Sequence, residues 1–374
     1  MSETAGQSEL DDLRGSVRDF LSAKSGEEQV RRVMESETGY DEAVWAQMAD
    51  QLGLQQLVFP EEHGGYGFGF AELSVVLQEM GRALLPSPFL SSVVLAGSAL
   101  LAADDAAAAA AHLPGIASGK TTATLAVAGE SGSWDPTALP VVGTRADDGW
   151  RLGGATWFVL DGATADLLLV AAATDAGPSL FAVSGTAAGL TRTALRTLDP
   201  TRRQARLDLD GVVGTPVGAL GGAAPVLDRV LDLAMTALAA EQVGGARACL
   251  EASAAYARDR VQFGRPIGTF QAVKHKCADM LVRVQLADAA AQEAAEAAAG
   301  LPGRAPLAEA AAVAHAVCSE SYLFTAAENI QVHGGIGFTW EHPAHLYFRR
   351  AKSSQLLFGG PAGYFGRVLD RAGV

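Results

Sequence analysis

Apolar residues recur at helical spacing from Leu10 to about Leu101. Leu13, Val17, Phe20 and Leu21 form one stripe, Val44, Trp45, Met48 and Leu52 a second, and Leu73, Val76, Leu77, Met80 and Leu84 a third. Between the last two, the run from Phe59 to Gly67 holds Pro60 and three glycines and predicts a loop, with His63 an exposed loop residue and not a ligand. Ala102 to Ala111 predicts a short helix. At Gly119-Lys120 the period changes to that of strands. Thr121–Val127, Trp150–Leu152, Trp157–Leu160, Leu167–Ala172, Ser179–Val183 and Ala205–Leu209 are short strand-like runs parted by Gly, Asp and Pro. Their spacing predicts a compact antiparallel sheet or barrel. Pro225 then opens the longest helical pattern, which runs to about Tyr256. Ala272–Ala299, Leu307–Gln331 and Ala344 to about Phe358 predict three further helices, the first closed by Gly300-Leu301-Pro302-Gly303.

The fold class is therefore α+β: an N-terminal helical part over 1–119, a middle β part over 120–221 as a barrel or sandwich, and a C-terminal four-helix bundle over 222–374. Four long helices rich in small residues are the material of an oligomer core. With 28 Lys and Arg against 42 Asp and Glu, the formal charge of -14 argues against nonspecific binding of nucleic acid or anionic lipid. Cys249, Cys277 and Cys318 lie within alanine-rich helices without paired spacing, so they predict buried free thiols and neither a disulfide nor a metal site. The N-terminal Met1-Ser2-Glu3-Thr4 is acidic and lacks the basic and apolar regions of a leader. No apolar run reaches the ~20 residues that span a bilayer. Together these features predict a cytoplasmic protein.

Two stretches concentrate chemistry at the ends of long helices. Arg260-Val261-Gln262-Phe263-Gly264-Arg265-Pro266-Ile267-Gly268-Thr269-Phe270-Gln271 offers cations, amides and turn glycines, and Gln331-Val332-His333-Gly334-Gly335-Ile336-Gly337-Phe338 offers bare backbone. With Ala278-Asp279-Met280 after the first and Arg349-x-Ala351-Lys352 after the second, the chain resembles the acyl-CoA dehydrogenase family, and the order of helical, β and helical parts extends the likeness over nearly its whole length. The resemblance implies an FAD enzyme that removes two hydrogens from the α and β carbons of an acyl-CoA thioester and passes electrons to an electron-transfer flavoprotein.

It also implies that Arg260 gives the FAD diphosphate a planar fork, that Gln262, Phe263, Gln271 and Gln331 sit beside the cofactor, and that Gly334 and Gly335 let backbone approach the diphosphate with no Cβ in the way. In the family these groups serve the FAD of a neighbouring subunit. The bland alternative for Arg260 is a surface cation beside Asp259. Arg265, Arg349 and Arg350 read as solvated cations.

The chain departs from the family at three places. Abstraction of the α-proton needs a carboxylate, and the family's Glu-Gly position holds Phe358-Gly359. The other place where relatives carry the base falls at Ala234. Glu241 lies two helical turns further on, in the apolar segment Ala239-Ala240-Glu241-Gln242-Val243, and is the candidate base. Its competing reading is a structural glutamate paired with Arg247 or capping a neighbouring loop. In the middle part the expected hydroxyl-rich loop becomes Ala128-Gly129-Glu130-Ser131-Gly132-Ser133-Trp134-Asp135, leaving Ser133 and Asp135 as remnants, and Trp157-Phe158-Val159 lacks the usual threonine.

Three losses in one chain favour shared labour. The leading expectation is a subunit that completes an FAD site with a homologous chain in an α2β2 assembly, as in bacterial dehydrogenases acting on steroid side chains. The alternatives are a self-sufficient homotetramer using Glu241 and a CoA-thioester-binding scaffold with no redox role.

Overall fold

The computed structural model describes residues 6–147 and 149–360, together with Gly366 and Leu369. The acidic Met1–Thr4 stretch lies outside the described residues. Six α-helices precede the β region: α1 Gln7–Lys24, α2 Glu27–Met34, α3 Glu42–Leu52, α4 Phe70–Arg82, α5 Ser98–Ala102 and α6 Ala106–Ala117. Their ends follow local chemistry. Asp41 caps α3 by accepting the N–H groups of Ala43 and Val44, and Gly53 closes it in the left-handed conformation. Asp105 caps α6 in the same way through Ala107 and Ala108, so this helix starts and ends later than alanine content suggests. The Phe59–Gly67 loop contains one short turn, Glu61–His63, and the His63 side chain is only 12% exposed, against the expectation of an exposed residue.

Seven strands follow: β1 Ala123–Ala126, β2 Val141–Ala146, β3 Gly149–Leu160, β4 Leu167–Thr174, β5 Gly177–Ser184, β6 Leu190–Ala194 and β7 Gln204–Val217. Pairing runs β4–β2–β3–β7–β5 and returns to β4, closing a barrel, with β1 added beside β4 and β6 beside β7. Most pairs are antiparallel as expected, but β1–β4 and β2–β4 are parallel. The two strand-like runs at Trp150 and Trp157 are one strand, β3, whose register against β7 shifts between Thr156 and Val159. β2 and β6 were not legible because β2 alternates over only four residues and β6 has no buried residue. The barrel interior is filled by Val141, Leu152, Leu168, Val170, Phe181, Leu207 and Val212, with Trp150 against Phe181 at 5.4 Å between ring centroids.

Among the described residues four long helices follow: α7 Ala223–Asp259, α8 Gln271–Ala298, α9 Leu307–His333 and α10 Ala344–Leu356. A two-stranded hairpin, β8 Val261–Gln262 and β9 Arg265–Pro266, lies between α7 and α8. Packing divides the chain differently from its periodicity. Arg32–Gly69 and Pro86–Ala234 form one compact unit, and Phe70–Leu85 with the described residues of 6–31 and 235–360 forms the other.

In the second unit α4 crosses α7 closely enough that a Cβ on Gly81 would meet the Glu241 carbonyl at 2.0 Å and one on Gly244 the Gln78 carbonyl at 1.8 Å. α1 is tied to α4 by Arg18, whose guanidinium donates to the buried Glu79 carboxylate at 2.7 and 2.9 Å. Alanines and small residues fill the seams among α7, α8 and α9, where Ala239, Ala287, Ala291, Ala294, Ala314 and Cys318 pack together. Among the described residues, no helix is long and apolar enough to cross a membrane.

Candidate functional site

The arginine stretch is an exposed hairpin at the end of α7. Arg260 continues the helix by donating its N–H to the Tyr256 carbonyl at 2.9 Å, and its own carbonyl accepts from Ile267 N–H at 2.8 Å, which closes the hairpin at its base. Phe263 (φ 54°) and Gly264 (φ 77°) make the two-residue turn with positive φ at both positions that matches the twist of paired strands. The turn holds the Phe263 ring out, 90% exposed, with Phe270 edge-on at 6.0 Å. Arg265 lies over the Phe270 ring at 4.2 Å, so this cation is stacked. Arg260, Gln262 and Gln271 are exposed, and Gln271 opens α8.

The glycine stretch lies at the end of α9. Gly334 has φ 63° and ψ -136°, a combination essentially confined to glycine, and turns the chain into a short 3-10 turn over Gly334–Phe338. A Cβ at Gly334 or Gly335 would project into open space, so bare backbone faces outward here. Gln331 is exposed one helical turn earlier.

Two contacts bring the ends of α7 and α9 together, and a third holds the His333 ring on its own helix. Ser253 Oγ donates to Asn329 Oδ1 at 2.9 Å in a buried pair, His333 Nδ1 lies 2.8 Å from the Asn329 carbonyl, and the Tyr256 and His333 rings sit 4.4 Å apart. Two motifs seventy residues apart in the chain thereby become neighbours.

The candidate base is differently placed. Glu241 Oε1 accepts from Arg350 Nη1 at 2.6 Å, with side chains 7% and 3% exposed. Arg350 is therefore a buried, paired residue, correcting its reading as a solvated cation. Arg247, the partner expected on the structural reading of Glu241, instead pairs with Asp288 at 3.0 Å. The neighbouring Arg349 lies over the exposed Trp340 ring at 4.4 Å. Ala234 is buried, and Phe358 is buried in a left-handed conformation (φ 62°, ψ 29°) near His315, 6.4 Å between ring centroids. His315 is fully buried, and desolvation pulls its imidazole down to about 4 against an opposing hydrogen bond with the Leu357 backbone.

On the other unit, Ser133 is exposed in the Gly132 turn and takes the Ser131 hydroxyl on its N–H at 3.3 Å. Trp157 N–H and Thr156 Oγ both donate to the Ala128 carbonyl, at 2.9 and 2.8 Å. Val159, at the threonine position, is 2% exposed and belongs to the barrel core, so it presents no hydroxyl. Arg260, Gln262, Phe263, Gln271, Gln331 and the open backbone at Gly334 and Gly335 could hold the adenosine diphosphate half of FAD. A fork, amides, a ring for stacking and open backbone suit a diphosphate next to an aromatic base. Among the described residues, no cluster of His, Cys, Asp and Glu could hold a metal ion.

Comparison with known proteins gives the class. The chain belongs to the acyl-CoA dehydrogenase family: the model of the family's N-terminal domain matches residues 7–120 and that of its C-terminal domain residues 221–364. It is 39% identical over 352 residues to the acyl-CoA dehydrogenase IpdE2 of Mycobacterium tuberculosis (strain ATCC 25618 / H37Rv), covering 93% of this chain and 92% of that one. Among solved structures it resembles the ChsE4-ChsE5 complex from Mycobacterium tuberculosis, with TM-score 0.89, 31% identity, and 100% and 99% of the two chains covered. A variant of the Tcur3481-Tcur3483 steroid ACAD matches with TM-score 0.86, 33% identity and 98% of each chain.

The hairpin, the glycine turn and the Glu241 segment were all visible as sequence. Arg350 and Tyr256 were missed as contributors. Each stands within one helical turn or a few residues of a motif, which was the only signal available.

Proposed function

We propose that this chain is one of two unlike subunits of an FAD-dependent acyl-CoA dehydrogenase that introduces a double bond between the α and β carbons of an acyl-CoA thioester of the steroid side-chain type. The observation that carries this reading is the state of the base positions. Ala234 and Phe358 have no carboxylate, and the Glu241 carboxylate is committed to a buried Arg350. A base must be free to take a proton beside the substrate, and Glu241 would have to abandon a buried ion partner to do so. The base then resides on a homologous chain.

This chain supplies binding. Arg260 grips the diphosphate, Gln262, Gln271 and Gln331 orient the adenosine end, Phe263 stacks, and Gly334 and Gly335 admit the backbone. Ser133 is the hydroxyl left for the ring end of such a cofactor. Bound FAD accepts the hydride from the β-carbon and passes electrons to an electron-transfer flavoprotein. The paired composition of the ChsE4-ChsE5 complex and of the Tcur3481-Tcur3483 steroid ACAD supports an α2β2 assembly for this chain as well.

The test is flavin absorbance and subunit stoichiometry of this chain expressed alone and beside a homologous subunit. Flavin only in the mixed assembly, at fewer than one per chain, is the expected result. A lone chain that carries one FAD per subunit and oxidises acyl-CoA refutes it. Arg260→Ala should weaken FAD retention of the assembly about 10- to 100-fold, as loss of a charge-assisted bond of ~1.5–3 kcal/mol implies.

A further inference from the structure

A short run of rings, Tyr256, His333 and His342, lies where the ends of α7 and α9 meet the start of α10. Tyr256 stands one helical turn before Arg260, and its carbonyl accepts the Arg260 N–H. Its ring centroid is 4.4 Å from that of His333, with the planes tilted by 35°. His333 is the last residue of α9, directly before Gly334. Its centroid is in turn 4.3 Å from His342, with the planes tilted by 43°.

Each ring is also fixed to its own element. His333 is buried, and its Nδ1–H donates to the Asn329 carbonyl at 2.8 Å, which ties the ring to the preceding helical turn. His342 Nδ1 accepts from the Ala344 N–H at 3.2 Å, which ties it to the start of α10. Between the ends of α7 and α9 the Tyr256–His333 ring contact stands beside the Ser253–Asn329 hydrogen bond, and His342 backs His333 from the start of α10. Rings offer two torsions and a rigid width, so they hold a spacing with little freedom to lose.

We propose that Tyr256, His333 and His342 are positioning residues that set the distance from Arg260 to the Gly334-Gly335 backbone, and through it the grip on the FAD diphosphate. The proposal rests on the assignment of Arg260 and Gly334 to FAD given above. A diphosphate held from two sides is sensitive to that distance, because hydrogen bonds from a guanidinium and from backbone must close together. Loss of a ring releases one side relative to the other while leaving the Ser253–Asn329 bond to hold the helices.

The experiment is a double-mutant cycle read as the FAD dissociation constant of the flavin-stripped assembly, measured by fluorescence quenching on titration with FAD. Tyr256→Leu should weaken binding by about twofold to twelvefold, the range an aromatic pair is worth. Tyr256→Phe, which keeps the ring, should bind as the parent does. In an Arg260→Ala background, Tyr256→Leu should change the constant by less than twofold, because the contact it positions is already gone. Should Tyr256→Leu fail to fold, His342→Leu carries the same cycle.

Equal effects of the leucine variant in both backgrounds, or binding that Tyr256→Phe fails to preserve, overturn positioning and leave the Arg260 assignment standing. An Arg260→Ala assembly that binds FAD as tightly as the parent overturns the assignment itself, and the positioning role with it.

Discussion

The Glu241–Arg350 pair separates the two roles open to Glu241, structure and catalysis. Glu241→Gln removes the charge that faces a guanidinium only 3% exposed, at a contact of 2.6 Å. Breaking a buried pair from one side costs about 3–5 kcal/mol, because the remaining ion keeps its desolvation penalty and loses its partner. Glutamine retains the carbonyl oxygen and can still accept one hydrogen bond, so the loss falls at the lower end, about 3 kcal/mol. For a unit of this size that corresponds to a fall in melting temperature of roughly 6–12 °C.

Replacing both partners with apolar residues of similar volume, Glu241→Leu with Arg350→Met, removes both desolvation penalties and should recover most of the loss. Differential scanning fluorimetry of the assembled protein reads both variants, and steady-state turnover of acyl-CoA is measured beside it. The structural assignment predicts a destabilised single variant, a recovered double variant, and turnover that follows stability. A Glu241→Gln protein as stable as the parent but without turnover would refute it and make Glu241 the base.

Burial draws His315 down to about 4 from the ordinary 6.5, so the folded state favours the neutral imidazole. Stability from this group is fully present above pH 6.5 and is lost as pH falls toward 4, up to about 3 kcal/mol. His315→Gln should flatten that part of a urea midpoint against pH profile, and an unchanged slope counts against it. Cys249 and Cys318 are buried, and desolvation raises both thiols far out of reach of neutral pH, while Cys277 is half-buried. A native thiol titration should therefore find one slow group and a denatured one three; fast reaction of two would contradict the packing. Gly334→Ala forces a side chain into φ 63°, ψ -136°, at a cost of about 1–3 kcal/mol of backbone strain with no steric clash to add to it. It should lower both flavin retention and melting temperature, and an unaffected variant would show that the turn can relax.

Helical stripes and the two glycine-bearing motifs could be read directly, because each is set by local periodicity or by backbone conformations that few residues tolerate. The family likeness rested on the same residues. The strands Val141–Ala146 and Leu190–Ala194 could not be read: the first alternates over only four residues, and the second has no buried residue to mark a face. Arg350 was misjudged as solvated because a charged residue next to another arginine carries no local mark of burial; only the fold places it against Glu241, more than a hundred residues earlier. The ring contacts of His333 escape notice for the same reason. Aromatic side chains are common at helix ends, and only packing selects those that meet.

The interleaving of the second unit bears on how the protein is made. α1 and α4 leave the ribosome early and can join through Arg18 and Glu79 at once. The opposite side of α4, with Gly81 against Glu241 and Gln78 against Gly244, must wait for about 160 further residues, roughly ten to thirty seconds of synthesis. During that interval the Gln78 and Gly81 positions of α4 lack their final cover. A fragment ending before α7 would leave them so permanently, and the first 221 residues therefore do not amount to a self-sufficient folding module.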